Sequence, residues 1–129
     1  MSVSATGVNF GTYEPLSPPA TESNGTVRIA CELSLDVLPP FLVKLSSGAA
    51  THFSPRALTS GLSRLSYNLY TTPALTSVWG DGTSDTDTQS YTGLLVLGHV
   101  ELTIHGAVPA GQFVAAGAYV DTIILTIEY

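Results

Sequence analysis

The chain has 129 residues, of which 44% are hydrophobic and only 11% are charged, and its formal net charge is −6. This length suits a single domain with a core of its own, so we expect one domain over residues 1–129. The four Lys and Arg residues are scattered along the chain, which argues against nucleic-acid binding, and no apolar run approaches the about 18 residues that a membrane-spanning helix needs. We therefore expect neither a nucleic-acid partner nor insertion into a membrane.

The first strand pattern is irregular. Val3 and Ala5 share one parity, whereas Val8 and Phe10 share the other, and Gly7 lies between the two pairs. A glycine at such a break is typical of a bulge or kink that changes which face of a strand is apolar. We predict a bulge or kink near Gly7 that resets the face of the first strand, as a strand that changes partner sheets midway would need.

Alternation of apolar and polar residues with a period of two predicts five further strands, and helical periodicity is almost absent. The five segments are residues 25–33, 41–45, 64–70, 99–106 and 122–129. Short strands with one polar face each are typical of an antiparallel β-sandwich, so we predict an all-β fold.

Clusters of Pro, Gly, Asn and Asp predict the turns between these strands. Pro18–Pro19 and Pro39–Pro40 are expected outside central strands, because proline donates no hydrogen bond to a ladder. Asn24-Gly25-Thr26 matches a glycosylation sequon, but Asn-Gly is also a standard turn pair, and we favour the turn. The predicted turns are residues 14–19, 23–26, 38–40, 46–48, 79–87 and 108–112.

The histidines do not form a metal-site pattern. His99 and His105 share a strand face but stand six residues apart, roughly 20 Å along a strand, so they cannot bind one ion. These two and His52 are predicted to face solvent.

The acidic loop is the second place where a metal could bind. Asp81, Asp85 and Asp87 lack the spacing of a calcium loop, so we expect a solvated turn, with calcium as the alternative.

No pattern of a catalytic site is recognisable. The single cysteine, Cys31, falls mid-strand on the apolar face, where burial would raise the pKa of its thiol. No nucleophile elbow and no close Cys–His pair occurs in the sequence. We predict that the protein is not an enzyme and needs no cofactor or metal.

Three segments together carry a specific resemblance. They are VNFGTYEPLS at residues 8–17, YNLYTTPALTSVWGDGT at residues 67–83 and VPAGQFVAAGAYVDTIILTIEY at residues 108–129. In order and spacing, over essentially the whole chain, the sequence resembles the spore coat protein U domain family, the subunits of archaic chaperone–usher pili.

The resemblance implies an incomplete immunoglobulin-like antiparallel β-sandwich that lacks its last strand. In that family a periplasmic chaperone lends a strand to the gap, and in the pilus the N-terminal extension of a neighbouring subunit replaces it. The implied function is that of a structural subunit of a secreted surface fibre or coat. Its implied partners are the chaperone, the outer-membrane usher and neighbouring subunits, and its route leads through the periplasm to the cell surface.

The strand-accepting groove would run beside the C-terminal strand. An exposed apolar edge strand is a template for pairing with another chain. Burying three of its side chains would contribute about 5–9 kcal/mol, at about 1.5–3 kcal/mol each. The alternative is an ordinary sandwich core in which the sheet closes within the molecule. The predicted groove residues are Ile123, Leu125, Ile127 and Tyr129 on one wall and Val3, Ala5, Val8 and Phe10 on the other, and the family resemblance implies Tyr129 as a chaperone anchor.

The resemblance also bears on Cys31. The family has a donor extension followed by a cysteine in the first strand, which bridges to the position of Cys31. In this sequence Met1 stands there, so the donor extension and the disulfide partner are both missing. We expect both, together with a signal peptide, upstream of Met1 in the gene, and the alternative is a gene that differs from the family at this point.

A second function would place binding in the loops. As a pilus-tip adhesin or carbohydrate-binding sandwich, the protein would use exposed aromatic rings, with Tyr70, Trp79 and Tyr91 as the candidates. Trp79 could instead close the end of the core. Loss of glycan binding in a folded Trp79→Ala variant would favour adhesion.

Overall fold

A computed structural model describes residues 2–16, 19–31, 37–94 and 98–128. These residues form eight strands and one 3-10 turn, and none of their helical segments is long and apolar enough to cross a membrane. The strands are β1 (Ser2–Thr6), β2 (Thr21–Cys31), β3 (Val37–Leu45), β4 (Arg56–Ser60), β5 (Ser63–Tyr70), β6 (Gln89–Leu94), β7 (Gly98–Val108) and β8 (Leu125–Glu128); the turn is Gly48–Ala50.

The strands form two antiparallel sheets. One has five strands in the order β1-β2-β7-β5-β4, and the other has three in the order β6-β3-β8. The longest ladder joins β2 to β7, from Thr21 opposite Val108 to Cys31 opposite Gly98. The predicted all-β antiparallel architecture is confirmed.

The core consists of the inward side chains of both sheets. The alternation predicted for the second, third, fourth and fifth strands is confirmed at the described positions, because the apolar parity of each strand supplies buried residues. The buried cluster comprises Val27, Ile29, Val43, Leu45, Leu65, Tyr67, Leu69, Trp79, Ile104 and Val108.

The prediction of a turn at residues 23–26 is wrong. These residues lie inside β2, where Asn24 pairs with His105 and Gly25 with Ile104. A Cβ atom at Gly25 would lie 2.6 Å from the carbonyl oxygen of Thr6 and 2.9 Å from Cγ2 of Val8. The glycine therefore allows a close approach of the N-terminal segment, which is another reason for glycine in a strand.

The position of Pro39–Pro40 also differs from the prediction. Both residues lie within β3, which is the central strand of the three-stranded sheet, and not in a turn at residues 38–40. The register with β6 shifts between Leu38 and Phe41. The prolines occupy this irregularity, where the regular ladder is interrupted and does not require their missing N–H groups.

The C-terminal strand is shorter than predicted. Residues 122–124 precede β8, and the backbone of Ile124 is held by Ser46, whose N–H donates to the Ile124 carbonyl at 3.0 Å. Just before them, Val120 exchanges backbone hydrogen bonds of 2.8 and 3.0 Å with Thr59 of β4. The segment thus crosses from the edge of one sheet to the edge of the other.

Two strands were missing from the sequence prediction. β4 and β6 lack a clear alternation of apolar and polar residues, and their strand state depends on pairing with β5 and β3. Some predicted positions lie outside the described residues, namely Ser17 and Pro18 of the first turn, Glu32 and Leu33 of the second strand, and Tyr129.

Candidate strand-accepting groove

One wall of the candidate site is formed by residues 8–15, which we call the N-terminal wall. The chain leaves β1 at Gly7 and then packs on the inner face of the five-stranded sheet, where a Cβ atom at Gly106 would lie 2.9 Å from the Phe10 ring and 3.0 Å from Val8. Val8 and Phe10 are half-buried against the core, and the Phe10 ring meets the Tyr67 ring edge-on with centroids 6.0 Å apart. The apolar face changes after Gly7 as predicted, but β1 ends at Thr6, so no strand continues through Gly7 to the other sheet.

The far end of this wall is fastened by hydrogen bonds. The Tyr13 hydroxyl donates to the Pro109 carbonyl at 2.6 Å and accepts from the Gln112 backbone N–H at 3.1 Å. The Gly111 N–H donates to the Pro15 carbonyl at 3.0 Å. These bonds tie the N-terminal wall to the predicted turn that follows β7.

Gln112 continues this connection to β5. Its side-chain oxygen accepts from the Ser66 N–H at 2.8 Å, and its side-chain amide donates to the Ser66 carbonyl at 2.9 Å. The Gln112 side chain thus takes the place of a neighbouring strand at Ser66, because it satisfies both the N–H and the carbonyl of that residue.

The opposite wall is formed by residues 114–121, which we call the C-terminal wall. Its final residue, Asp121, accepts hydrogen bonds from the Tyr67 hydroxyl at 2.5 Å and from the backbone N–H groups of Ala49 and Thr122, each at 2.9 Å. Gly48 has a φ of +71°, and a side chain there would collide with the Asp121 carboxylate. The turn predicted at residues 46–48 therefore serves to accommodate Asp121.

An open cavity of about 760 Å³ lies between the two walls. Leu58, Leu65 and Val108 line it as well, so the cavity reaches the hydrophobic core. Apolar side chains are exposed next to it, with Phe113 at 74% and Val120 at 66% of their full exposure. The cavity therefore exposes apolar side chains that continue from the hydrophobic core, which is unusual for the surface of a monomeric protein.

The chain continues from the C-terminal wall into β8. Within the part of the chain that the structure describes, β8 pairs with β3 on one side and with no strand on the other. Ile123, Leu125 and Ile127 are half-buried against the core, whereas the alternate residues are exposed. We use the word groove for the cavity together with this free edge of β8.

The structure brings together some of the predicted groove residues. Val8 and Phe10 line the cavity, whereas Ile123, Leu125 and Ile127 are not among the residues that line it and follow Asp121 along the chain. Val3 and Ala5 lie on β1 at the outer edge of the five-stranded sheet, where both are exposed and neither lines the cavity. Tyr129 lies outside the described residues.

The predicted surface aromatics are differently placed. Trp79 is fully buried and its indole N–H donates to the Val43 carbonyl at 2.9 Å, so it is not available as a surface-binding ring. The alternative interpretation, in which Trp79 closes the end of the core, is correct. Tyr70 is half-buried at the end of β5, and the side chain of Tyr91 on β6 lies outside the described part.

A buried cation beside the groove was not predicted from the sequence. Arg56 is fully buried, and its guanidinium donates to the carbonyls of Leu45, Ser46 and Trp79 and to the side-chain oxygen of Asn68. Burial lowers the pKa of this group, while the nearby charge of Asp121 opposes that effect. The sequence around Arg56 carries no signal of this role, because the partners are carbonyls from distant segments.

The candidate metal ligands that the structure describes are not assembled into a site. Among the described residues, no three or more His, Cys, Asp or Glu side chains are grouped so that they could hold a metal ion. Asp81 instead accepts two bonds from Thr83, which lower the pKa of the Asp81 carboxyl. Cys31 is the last residue of β2, and the side chains of Cys31 and His99 lie outside the described part.

Comparison with known proteins identifies the family. The family model of the Spore Coat Protein U domain matches residues 2–126. The chain belongs to this family. It is 30% identical to Protein U of Myxococcus xanthus over 136 residues, an alignment that covers 95% of the chain and 71% of that protein.

A solved structure supports the fold. A chain of the chaperone–tip adhesion subunit pre-assembly complex, CsuC–CsuE, from the archaic chaperone–usher Csu pili of Acinetobacter baumannii is similar with a TM-score of 0.62 and 21% identity. The similarity covers 99% of this chain and 38% of that one, so this protein spans well under half of its structural neighbour. The immunoglobulin-like antiparallel sandwich that the sequence resemblance implied is confirmed.

Proposed function

We propose that the protein is a structural subunit of a secreted bacterial surface fibre or coat, and that its groove accepts a β-strand from another polypeptide. The observation that carries the proposal is a half-buried row near the end of the chain, beside a free strand edge. Ile123 precedes β8 and Leu125 and Ile127 lie on it, and one edge of β8 is unpaired within the described residues. The cavity between the two walls ends at Asp121, two residues before that row begins.

An incoming strand would gain two kinds of interaction. Backbone groups on the free edge of β8 would complete a ladder, and alternate side chains would enter the cavity, as in other cases of strand addition. Each half-buried side chain that becomes fully buried would contribute on the order of 1 kcal/mol, about half of the value for complete burial. A row of such side chains is a large fraction of the about 5–15 kcal/mol that stabilises a typical domain.

The proposed partners are those that the family resemblance implies. The solved neighbour is a complex of a chaperone with a tip adhesion subunit, which supports a periplasmic chaperone as one donor of the strand. We propose a neighbouring subunit as the other donor and an outer-membrane usher as the assembly platform. The protein would then pass through the periplasm and remain in a fibre at the cell surface.

The proposal is tested by adding extended peptides to the purified domain. Peptides from natural donor extensions, with alternating apolar residues, should raise the melting temperature. At a concentration of 100 times the dissociation constant the gain in stability should be about 2.7 kcal/mol. Absence of a shift across the whole panel would contradict the proposal.

A matched pair of variants locates the effect on β8. Leu125→Asp places a charge on the half-buried face, and Thr126→Asp places the same charge on the exposed face one residue later. We expect the first variant to lose the peptide-induced shift and the second to keep it. Equal shifts in the two variants would place the peptide elsewhere on the molecule.

A further inference from the structure

Tyr67 lies between the two walls of the groove. It is buried on β5, with 3% of its surface exposed. Its ring packs edge-on against Phe10 of the N-terminal wall, and its hydroxyl donates to Asp121 of the C-terminal wall. One side chain is therefore in contact with both walls.

We propose that Tyr67 is a positioning residue, which together with Phe10 and Asp121 forms a strut that fixes the spacing between the walls. The effect of this strut on strand binding rests on the proposed function, whereas its effect on the spacing does not. A groove held at a fixed width is pre-organised for a strand, which reduces the ordering that binding must otherwise supply.

The Asp121 end of the strut is firmly held. Its carboxylate accepts from Ala49 and Thr122 as well as from Tyr67, and it lies near the buried Arg56 guanidinium, on which its charge acts. Hydrogen bonds to an ionised carboxylate are stronger than those between neutral groups. The Tyr67 hydroxyl therefore joins the C-terminal wall to β5 at a rigid point.

The Phe10 end is held by packing. The Phe10 ring lies against the position of Gly106, where a side chain would occupy its space, and it touches the Tyr67 ring on another side. The two fastened points of the N-terminal wall, Tyr13 and Pro15, are farther along the chain. The contact between Phe10 and Tyr67 therefore fixes the position of the beginning of the N-terminal wall relative to the C-terminal wall.

Tyr67→Phe removes one end of the strut and leaves the other. It keeps the ring against Phe10 and deletes only the hydroxyl that reaches Asp121. Tyr119→Phe is the matched control, because Tyr119 also lines the cavity and its hydroxyl bonds within the C-terminal wall, to the Ala115 carbonyl.

The spacing is measured directly with spin labels, one on each side of the groove. Labels at Thr12→Cys and Thr122→Cys, both exposed positions, in a Cys31→Ser background report the distance by pulsed electron resonance. We expect a narrow distribution in the parent and in Tyr119→Phe, and a broad or displaced one in Tyr67→Phe. A Tyr67→Phe distribution equal to that of the parent would overturn the strut, whether or not any peptide binds.

The peptide affinity of the same variants tests the consequence for binding. We expect Tyr67→Phe to bind a donor peptide about tenfold more weakly and Tyr119→Phe to bind as the parent does. An altered distance with unchanged affinity would overturn the role in binding. Failure of every variant and of the parent to bind would contradict the proposed function, while the distance measurement would still decide on the strut.

Asp121→Asn provides a second route if Tyr67→Phe does not fold. It keeps an oxygen acceptor but removes the charge, so the bond from Tyr67 should weaken without disappearing. If both variants fold, the distance distribution of Asp121→Asn should lie between those of the parent and Tyr67→Phe. If only Asp121→Asn folds, its distribution should be broader than that of the parent. A parent-like distribution in Asp121→Asn alone would count against the strut.

Discussion

The region around Arg56 and the groove both adjoin β5, but they differ in how far their interactions are satisfied within the chain. At Arg56 the polar groups are satisfied within the chain, and among the described residues no buried side-chain nitrogen or oxygen lacks a hydrogen bond. At the groove, apolar side chains remain half-buried and the free edge of β8 is unpaired in the described part. The chain thus satisfies the polar groups of the Arg56 region by itself, whereas under the proposed function the groove is completed by a partner.

The largest effect is expected from breaking the Arg56 region. Arg56→Met should lower the free energy of unfolding by about 3–5 kcal/mol, because it leaves several buried carbonyls without their donor. Arg64→Met is the control, since Arg64 is exposed on the neighbouring strand, and it should change stability by less than about 0.5 kcal/mol. Denaturant unfolding measures both, and similar losses in the two variants would contradict the comparison.

An intermediate effect is expected from two residues that face each other across β3 and β8. Val43 is fully buried and its partner Ile127 is half-buried. In the isolated chain, Val43→Ala should cost about 2 kcal/mol and Ile127→Ala about 1 kcal/mol, although the second removes more atoms.

Saturation with a donor peptide sharpens this contrast. The cost of Ile127→Ala should then rise to at least that of Val43→Ala, because the incoming strand completes the burial of Ile127. Thermal unfolding with and without peptide gives both values. An unchanged cost would mean that Ile127 does not contact the added strand.

The smallest effect is expected from alkaline pH. Burial first, and then the hydrogen bond to Asp121, raise the pKa of Tyr67 above its ordinary value near 10. Because the neutral form is favoured in the folded state, this contribution to stability is fully present below about pH 10 and is lost as the pH rises towards the folded-state pKa. Wild-type stability should therefore fall above about pH 10 more steeply than that of Tyr67→Phe.

The pH range from 6 to 8 provides the internal control for this measurement. There the difference in stability between wild type and Tyr67→Phe should not vary with pH, since Tyr67 is neutral in both the folded and the unfolded state. Parallel curves up to pH 11 would show that Tyr67 does not contribute in this way.

Local patterns predicted the strands whose two faces differ. In β5, Leu65, Tyr67 and Leu69 alternate with more polar residues, and all three are buried as expected. β4 and β6 were missed because neither has that contrast, and their strand state is imposed by their neighbours in the sheets. Strand propensity is strongly context-dependent, which explains this limit.

The same local rules were misleading where one residue type has several uses. Asn24-Gly25 is favourable for a turn, but in this fold Gly25 leaves space for Thr6 and Val8. The site was predictable at Val8 and Phe10, whose parity changes after Gly7. The buried Arg56 and the Asp121–Tyr67 bond were not, because each joins segments that are distant in sequence.

The pair of glycines beneath the N-terminal wall has a consequence for the order of folding. Gly25 belongs to β2 and Gly106 to β7, so the surface on which Val8 and Phe10 pack exists only after these two distant strands have found their register. Contacts between distant segments form late, since the loop between them must close first. We expect residues 8–10, although they are synthesised before β2 and β7, to be among the last parts of the molecule to take their native place.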